Sequence, residues 1–568
     1  MRSRMAAIMW ILAVALLVVL PLAPALADQP VAKPLDHPTN IPPIPRAMPD
    51  LIPYHDFDPP KSSLFDINKF TISGDMRVRP EFRSQTDFGT AAPGTAKNDF
   101  YVQQWMRLGL NYSISPDVDV LFQPQYAKNW GAANNTGIGA GCGPAGANSI
   151  CANDVFQSGQ GDSLFVRQAF IMIRNLGVQG LSLKAGRQLM VMGNHRLFGH
   201  FDWANTGFSH DGVTLQYSQP NWEFWGGWLR PMETDFNIAA SGTANQNSSS
   251  FGVVPPGVNQ TQNGGFGDSD IFFARLALKP MAGLAIEPLW VFQNNNARNA
   301  LPTVTGMGTT GSSVVAAHAN GQNRHTVGAR VGYRQGMFDG TFEGYHQFGA
   351  ISSNQDGTGA SNNKDLHINA YALAAEGGVT LKDMPWSPRI GLEFNYASGD
   401  GDANCGAAAG TAKPSAAACN GSSNTFENLY PTNHIVMGYA DVMAWRNMVA
   451  YSGSLQVLPF DNKANHLELR YWNFNRASTG DNWYRAAQNV YFGANTATGA
   501  ITNRAAHLAQ EIDVIYTLFF KGNKVAWQTG FSYLYAGSFL DNVAAGTYGA
   551  GAKATDQTWG YTQLHVNF

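Results

Sequence analysis

From Phe70 to the end of the chain, apolar and polar residues alternate in short runs, separated by stretches rich in Gly, Ala, Asn and Ser. In the first run, Phe70, Ile72, Met76, Val78 and Phe82 interleave with Thr71, Ser73, Asp75, Arg77, Arg79, Glu81 and Arg83. Period two marks a strand whose two faces meet unlike surroundings. Further runs are expected at 100–115, 117–130, 163–175, 180–191, 211–219, 221–231, 270–280 and 283–294. The second half adds 324–336, 337–350, 366–381, 387–399, 446–459, 464–477, 506–521, 523–537 and 556–568, making eighteen in all. An even number of runs, each long enough for the roughly 9–11 residues of a tilted spanning strand, predicts a transmembrane antiparallel β-barrel.

The connections follow a rhythm of their own. Short ones include Ser115 to Asp117, Ser218 to Asn221, Lys279 to Gly283, Gln335 to Gly340 and Lys521 to Lys524. Long ones are 131–162, 232–269, 295–323, 400–445 and 478–505. Short periplasmic turns and long extracellular loops give this alternation, with both termini in the periplasm. A soluble sandwich or propeller would lack it, and no tandem repeat of fixed period is present. The last strand places Leu564, Val566 and Phe568 on one face and Gln563, His565 and Asn567 on the other.

The first residues read as an export signal. Arg2 and Arg4 precede the apolar stretch Met5 to Leu20, and Ala25-Leu26-Ala27 supplies a small-residue cleavage site after Ala27. Residues 28–69 open with about ten prolines in thirty or so residues. Such a segment makes no ladder and reads as a periplasmic tail through which a periplasmic partner could dock. The expected division is therefore a signal peptide (1–27), a Pro-rich segment (28–69) and a barrel (70–568), with the bacterial outer membrane as the address.

Composition changes the picture little. Charged residues are 14%, aromatics 12%, and a net charge of −3 gives no reason to expect nucleic acid. No second apolar run approaches the roughly 20 residues of a membrane helix. The cysteines fall in two local pairs, Cys142 with Cys151 and Cys405 with Cys419, which in an exported chain predict loop disulfides. Neither pair has metal-ligand spacing, so no metal is expected.

Catalytic motifs carry little. Gly161-Asp162-Ser163-Leu164 spells a lipase signature at a loop-to-strand junction, with no Asp-x-x-His to complete a triad. The Gly141, Gly143, Gly146 pattern resembles a dinucleotide fingerprint without the flanking strand and helix. His195 and His200 read as polar loop residues, and no haem-attachment motif exists. Neither an enzyme nor a cofactor is expected.

What remains is the lumen. A lipid-facing arginine near the midplane costs about 2–4 kcal/mol, so the charged face must point inward. Alternation sends Arg77, Arg79, Arg83, Arg107, Arg330, Arg389 and Arg470 inward, with Asp75, Glu81, Glu343, Glu393, Glu468, Glu511 and Asp513. These groups either brace the wall in pairs or form a constriction that selects anions.

The block Ala397 to Asp402, then Thr425 to His434, then Gly438 to Arg446 resembles the alginate-export porin family. Supporting matches are Val166-Arg167-Gln168-Ala169, Ala185-Gly186-Arg187-Gln188, Arg196-Leu197 with Asp202-Trp203, Asp211-Gly212, Asp481 to Tyr484 and Gln510 to Asp513. The resemblance spans residues 70–568 and implies an eighteen-stranded outer-membrane barrel that lets an anionic polyuronate leave through an arginine-rich constriction. It implies pore positions at Arg107, Arg167, Arg187, Arg389 and Arg470, beside inward Arg77, Glu393 and Glu468. Asp400, Asp402, Pro431, His434 and Asp441 form its motif loop. Alternation alone sets Arg167 and Arg187 in register with apolar Ile171 and Leu183, so inward placement requires the family pattern or a local bulge.

The leading expectation is a passive, selective channel for an anionic oligo- or polysaccharide. Alternatives are a porin for small organic anions or nutrients, and a barrel that sheathes a secretion or electron-transfer partner. Ordered loops folding into the lumen, above all 131–162, would favour a channel; an empty, wide barrel would favour a sheath.

Overall fold

The computed structural model describes residues 65–67, 69–90, 98–130, 163–232, 269–295, 322–352, 365–401, 422–486, 490–492 and 502–568. Eighteen strands build the wall. They are β1 (Phe70–Ser84), β2 (Asn98–Ser115), β3 (Val118–Asn129), β4 (Ser163–Ile173), β5 (Leu181–Gln188) and β6 (His210–Gln219). Next come β7 (Trp222–Met232), β8 (Ser269–Met281), β9 (Leu284–Asn295), β10 (Gln322–Gln335), β11 (Phe338–Ser352) and β12 (Asp365–Thr380). The last six are β13 (Arg389–Ala397), β14 (Met448–Val457), β15 (Asn465–Asn475), β16 (His507–Phe520), β17 (Val525–Ala536) and β18 (Gln557–Asn567).

Each strand pairs antiparallel with its sequence neighbours, and β1 also pairs with β18, in the register Arg77↔His565 and Glu81↔Tyr561. The sheet is a closed barrel, so no strand edge is left for lipid to satisfy. No helix among the described residues is long and apolar enough to cross a membrane. Strand β13 shows how the sequence sets the faces. Arg389, Glu393 and Asn395 are buried inward, while Ile390 and Leu392 stand 56% and 71% exposed on the outer surface. Water-avoiding side chains cover the outside and charged ones fill the inside, as lipid around the barrel requires.

Strand boundaries differ from the expected runs by at most two residues, except that β5 stops three residues early, at Gln188 rather than 191. The difference matters, because it lengthens the following connection to 189–209. A short strand, Phe65–Ile67, pairs with the start of β1 inside the segment expected to be tail. The connection from β17 to β18 carries one helix, α1 (Ser538–Tyr548), which the strand pattern did not predict. Its buried residues Phe539, Leu540 and Ala544 recur at the spacing of one helical face.

The expected disulfides fall outside the described residues. Cys142 and Cys151 fall in the 131–162 connection, Cys405 and Cys419 in the stretch 402–421, and both stretches lie outside the described residues. The described residues contain no cysteine, so among them there is no disulfide and no free thiol. Asp402 of the motif loop lies outside the described residues as well.

Candidate functional site in the barrel lumen

Within a strand, residues two apart share a face, and the lumen uses this to place opposite charges side by side. Arg79 Nε lies 2.6 Å from Glu81 Oε1, and Arg470 Nε lies 2.6 Å from Glu468 Oε1. Pairs also cross between strands. Arg389 meets Asp339 at 2.6 Å, Arg330 meets Glu287 at 2.6 Å, and Arg470 reaches Glu393 at 2.9 Å. Glu393 is shared with Arg196, whose Nη2 is 2.5 Å away and whose Nε stands 3.5 Å from Glu343.

Arg196 belongs to no strand. It sits on the 189–209 connection, which leaves the outer end of β5 and enters the lumen. On one side of the wall, three arginines hold this loop. Arg107 Nη1 donates to Asp202 Oδ2 at 2.8 Å, and Arg167 Nη2 donates to Asp202 Oδ1 at 2.7 Å. Arg77 donates to the backbone carbonyls of Asp202 and Trp203 at 2.6 and 3.0 Å. Arg167 further donates to the carbonyls of His200 and Thr206, at 2.8 and 3.0 Å. On the opposite wall Asn194 donates to Thr341 and accepts from Arg330, at 2.9 and 3.1 Å.

Arg167 reaches inward through a bulge. Gln123 pairs with Gln168 and Pro124 with Val166, so Arg167 is the extra residue of β4 and is freed from the alternation of its neighbours. The missing N–H of Pro124 suits this interruption of the ladder.

A second connection, between β13 and β14, lines the first one. Phe198 and Tyr430 form a parallel bridge, with Gly199 N donating to Tyr430 O at 2.8 Å and Tyr430 N to Leu197 O at 2.9 Å. Trp203 stacks on His434 with centroids 3.8 Å apart, and the Arg79 guanidinium lies 3.5 Å from the Trp203 ring centroid. His434 is also hydrogen-bonded to Asp441. Met192, Leu197, Phe198 and Phe201 pack with Leu429, Tyr430, Val436 and Met437 as a buried apolar cluster within the barrel. His195, Phe201, Leu429, Asp441 and Asn447 hold positive φ between 46° and 62°, a strained conformation that the surrounding packing must enforce.

At the outer end, Asp400 and Asp481 tie two connections together, β13–β14 and β15–β16. Asp481 accepts from Asp400 N at 2.9 Å, from Thr425 Oγ1 at 2.5 Å and from the Tyr484 hydroxyl at 2.8 Å. Asp400 in turn accepts from Asn424 N at 2.9 Å. Burial raises the Asp481 carboxyl above its ordinary range, and these donors oppose the rise.

The expected site residues thus fall into groups. Arg77, Arg107 and Arg167 converge on the inserted loop; Arg389, Arg470, Glu393 and Glu468 are inward wall pairs. Pro431, His434 and Asp441 are buried in the second loop, where His434 Nδ1 and the Asp441 carboxylate are hydrogen-bonded to each other. Arg187 departs from expectation. It lies in register with Asp211, on the outward face that carries Val213 and Leu215, and pairs with that carboxylate at 3.1 Å. No bulge brings it inward, so it lines no constriction. His195 and His200, read as plain loop residues, are packed edge to face at 4.9 Å inside the lumen. Asp202, Trp203, Arg196 and Asn194 were not singled out as site residues. Their only sequence signal was the family match over Arg196-Leu197 and Asp202-Trp203.

Arg79, Arg107, Arg167 and Arg470 are each at most 2% exposed. At this level the wall arginines are packed against neighbouring side chains and the inserted loop rather than left open to solvent. A closed eighteen-stranded barrel with a charged, loop-filled interior defines the class: an outer-membrane channel protein. The chain belongs to the alginate export family, whose model matches residues 69–552. Among solved structures it is similar to Pseudomonas aeruginosa OccK9 (OpdG), at 10% identity over 88% of this chain and 99% of that one, with a TM-score of 0.48. Acinetobacter baumannii OccAB2 matches at 9% identity over 88% and 98%, with a TM-score of 0.46. Pseudomonas aeruginosa OccD3 (OpdP) matches at 9% identity over 96% and 98%, with a TM-score of 0.44. No curated protein matches the sequence.

Proposed function

We propose that this barrel is a gated conduit for an anionic, carboxylate-bearing oligo- or polysaccharide of the alginate type. The observation that carries the reading is Asp202, a carboxylate of the chain itself, held by Arg107 and Arg167 from two strands. Guanidinium groups grip carboxylates through charge-assisted hydrogen bonds. A uronate carboxylate offers the same two oxygens, so it competes with Asp202 for the same donors. Substrate arrival and withdrawal of the 189–209 loop are then one exchange, in which one carboxylate replaces another and the arginines are never left bare.

Once the loop is out, Arg77, Arg107 and Arg167 present positive potential to the passing chain. Release stays fast because the interior carboxylates Glu81, Glu393 and Glu468 balance that potential along the wall. The loops inside the lumen speak against a sheath around a partner protein. Single-channel recording of the purified barrel tests the proposal. Openings should be rare in plain salt, anion-selective, and more frequent or visibly interrupted when a polyuronate is added. Cation-selective currents that ignore polyuronate would rule the reading out.

A further inference from the structure

We infer that the periplasmic mouth carries a second site, which captures the sugar carboxylates of the substrate before they reach the inserted loop. The inference rests on the proposed function and adds a place where the chain is first held. A cavity of about 610 Å³ opens at the short-turn end of the barrel, between β10 and β15. Its inner wall includes Asp339, Arg389 and Glu468, and its rim includes Arg334, Lys382 and Lys463. The volume lies within the range of about 300–1,000 Å³ typical of small-molecule sites.

The charges of this cavity do not cancel. Asp339 is taken by Arg389, at 2.6 and 3.0 Å, and Glu468 by Arg470, at 2.6 Å. The side chains of Arg334, Lys382 and Lys463 make no ion pair or hydrogen bond among the described residues. Two acids share their turns. Asp461 is engaged as acceptor for Trp386 N, and Asp383 is exposed beside Lys382. His466, in the same lining, is hydrogen-bonded to the Lys463 carbonyl at 3.0 Å. Three uncommitted cations therefore face one void.

The rim is also preformed. The two turns that carry the lysines, 381–388 and 458–464, are tied by Leu458 N donating to Trp386 O at 2.8 Å, beside the Asp461 contact. Trp386, Ser387, Phe460 and Asp461 hold φ of 65°, 44°, 63° and 53°. Positive φ is rare for bulky side chains, and such strain gathers where a ligand clamp must be held in shape. A rigid rim loses little freedom on binding.

Chemistry selects the occupant. The inward residues Asp339, Arg389 and Glu468 line the cavity beside apolar Met337, Leu458 and Leu467, and those inward members open onto the aqueous side of the wall. A lipid headgroup there would drag its acyl chains out of the hydrocarbon. A soluble ligand with several carboxylates spaced along a chain meets three separated cations, whereas one small anion can meet only part of them. A short uronic-acid oligosaccharide has that form.

The test uses the full-length barrel in detergent, titrated calorimetrically with a uronic-acid trisaccharide, its monomer, inorganic phosphate and a neutral trisaccharide. Heat-modifiable migration checks that each variant is folded. The trisaccharide should bind at least tenfold more tightly than the monomer or phosphate, and the neutral sugar should not bind. Lys382→Glu with Lys463→Glu should weaken trisaccharide binding at least tenfold, and Arg334→Gln should weaken it less. Equal binding by the folded double variant, or equal binding of phosphate and trisaccharide, would overturn the inference. A wild-type barrel that passes polyuronate without binding the trisaccharide also overturns it while leaving the proposed function standing. A barrel that does neither sinks both.

Discussion

Asp202 is the residue on which the lumen turns. Two arginines share its carboxylate and a third holds its carbonyl; the three guanidinium groups are buried, and the Asp202 side chain keeps 14% of its surface exposed. Breaking one member of a buried ion pair costs about 3–5 kcal/mol, because the remaining charge stays unbalanced. Asp202→Asn should therefore lower hydrogen-exchange protection over 189–209 by about two to three orders of magnitude, with the wall ladder unchanged. The same variant should open spontaneously in bilayer recordings. Unaltered protection would show that the contact bears no weight. Arg187 gives the opposite expectation. Paired with Asp211 on the outer face, it should accept Ala or Glu with anion selectivity unchanged, while Arg107→Glu lowers or inverts that selectivity, as reversal potentials would report. Alternation alone made Arg77, Arg107, Arg389 and Arg470 legible as inward, because each obeys the period of its own strand. Arg167 was not legible that way. A bulge is a choice of pairing with the neighbouring strand, which one strand's own sequence does not encode. Asp202 was less legible still, since its role exists only once its loop lies between β2 and β4.

Whole elements repeat the lesson. The strands were readable because lipid outside and water inside impose one rule on all of them. Even Gly- and Trp-rich runs such as β6, β7 and β11 form as expected, within a few residues. The 189–209 connection was not readable as a plug. It looks like an ordinary link between two runs, and its apolar residues Met190, Met192, Leu197, Phe198 and Phe201 could have suited any loop with a partner. What fixes it is the second loop, whose Tyr430 and Thr432 amides donate to Leu197 and His195 carbonyls, each at 2.9 Å. The two should act as one body. Replacing 194–207 by a short glycine linker is expected to give a barrel that conducts continuously. It should also loosen 424–447, which loses Trp203 from the face of His434. Proteolysis or exchange confined to the deleted segment, with 424–447 still protected and the current still closed, would show that the second loop shuts the lumen alone.

At the scale of the molecule, the wall and the plug have separate sources of stability. The wall has a closed ladder in hydrocarbon, where every backbone group must be paired. The plug has buried apolar contacts and ion pairs. The folded protein should migrate differently on gels before and after boiling, with circular dichroism dominated by β-structure, and the loop variants above should keep both properties. A variant that loses the plug and the heat-modifiable band together would show that the wall depends on its contents.

The seam between β1 and β18 has a further consequence for how such a chain can be made. His565 meets Asp75 at 2.9 Å across 490 residues of sequence, and Phe568 exchanges backbone hydrogen bonds with Gly74 at 2.8 and 2.9 Å. A side chain at position 74 would collide with the Phe568 ring, which passes 2.5 Å from where its Cβ would stand. Strand β1 must therefore wait, with the edge that meets β18 unpaired, until β18 has been delivered. Closing so distant a contact is slow, and an open edge invites wrong partners. Closure is thus decided by β18. A chain arrested or trimmed before 557 carries seventeen wall strands and still cannot close into a barrel.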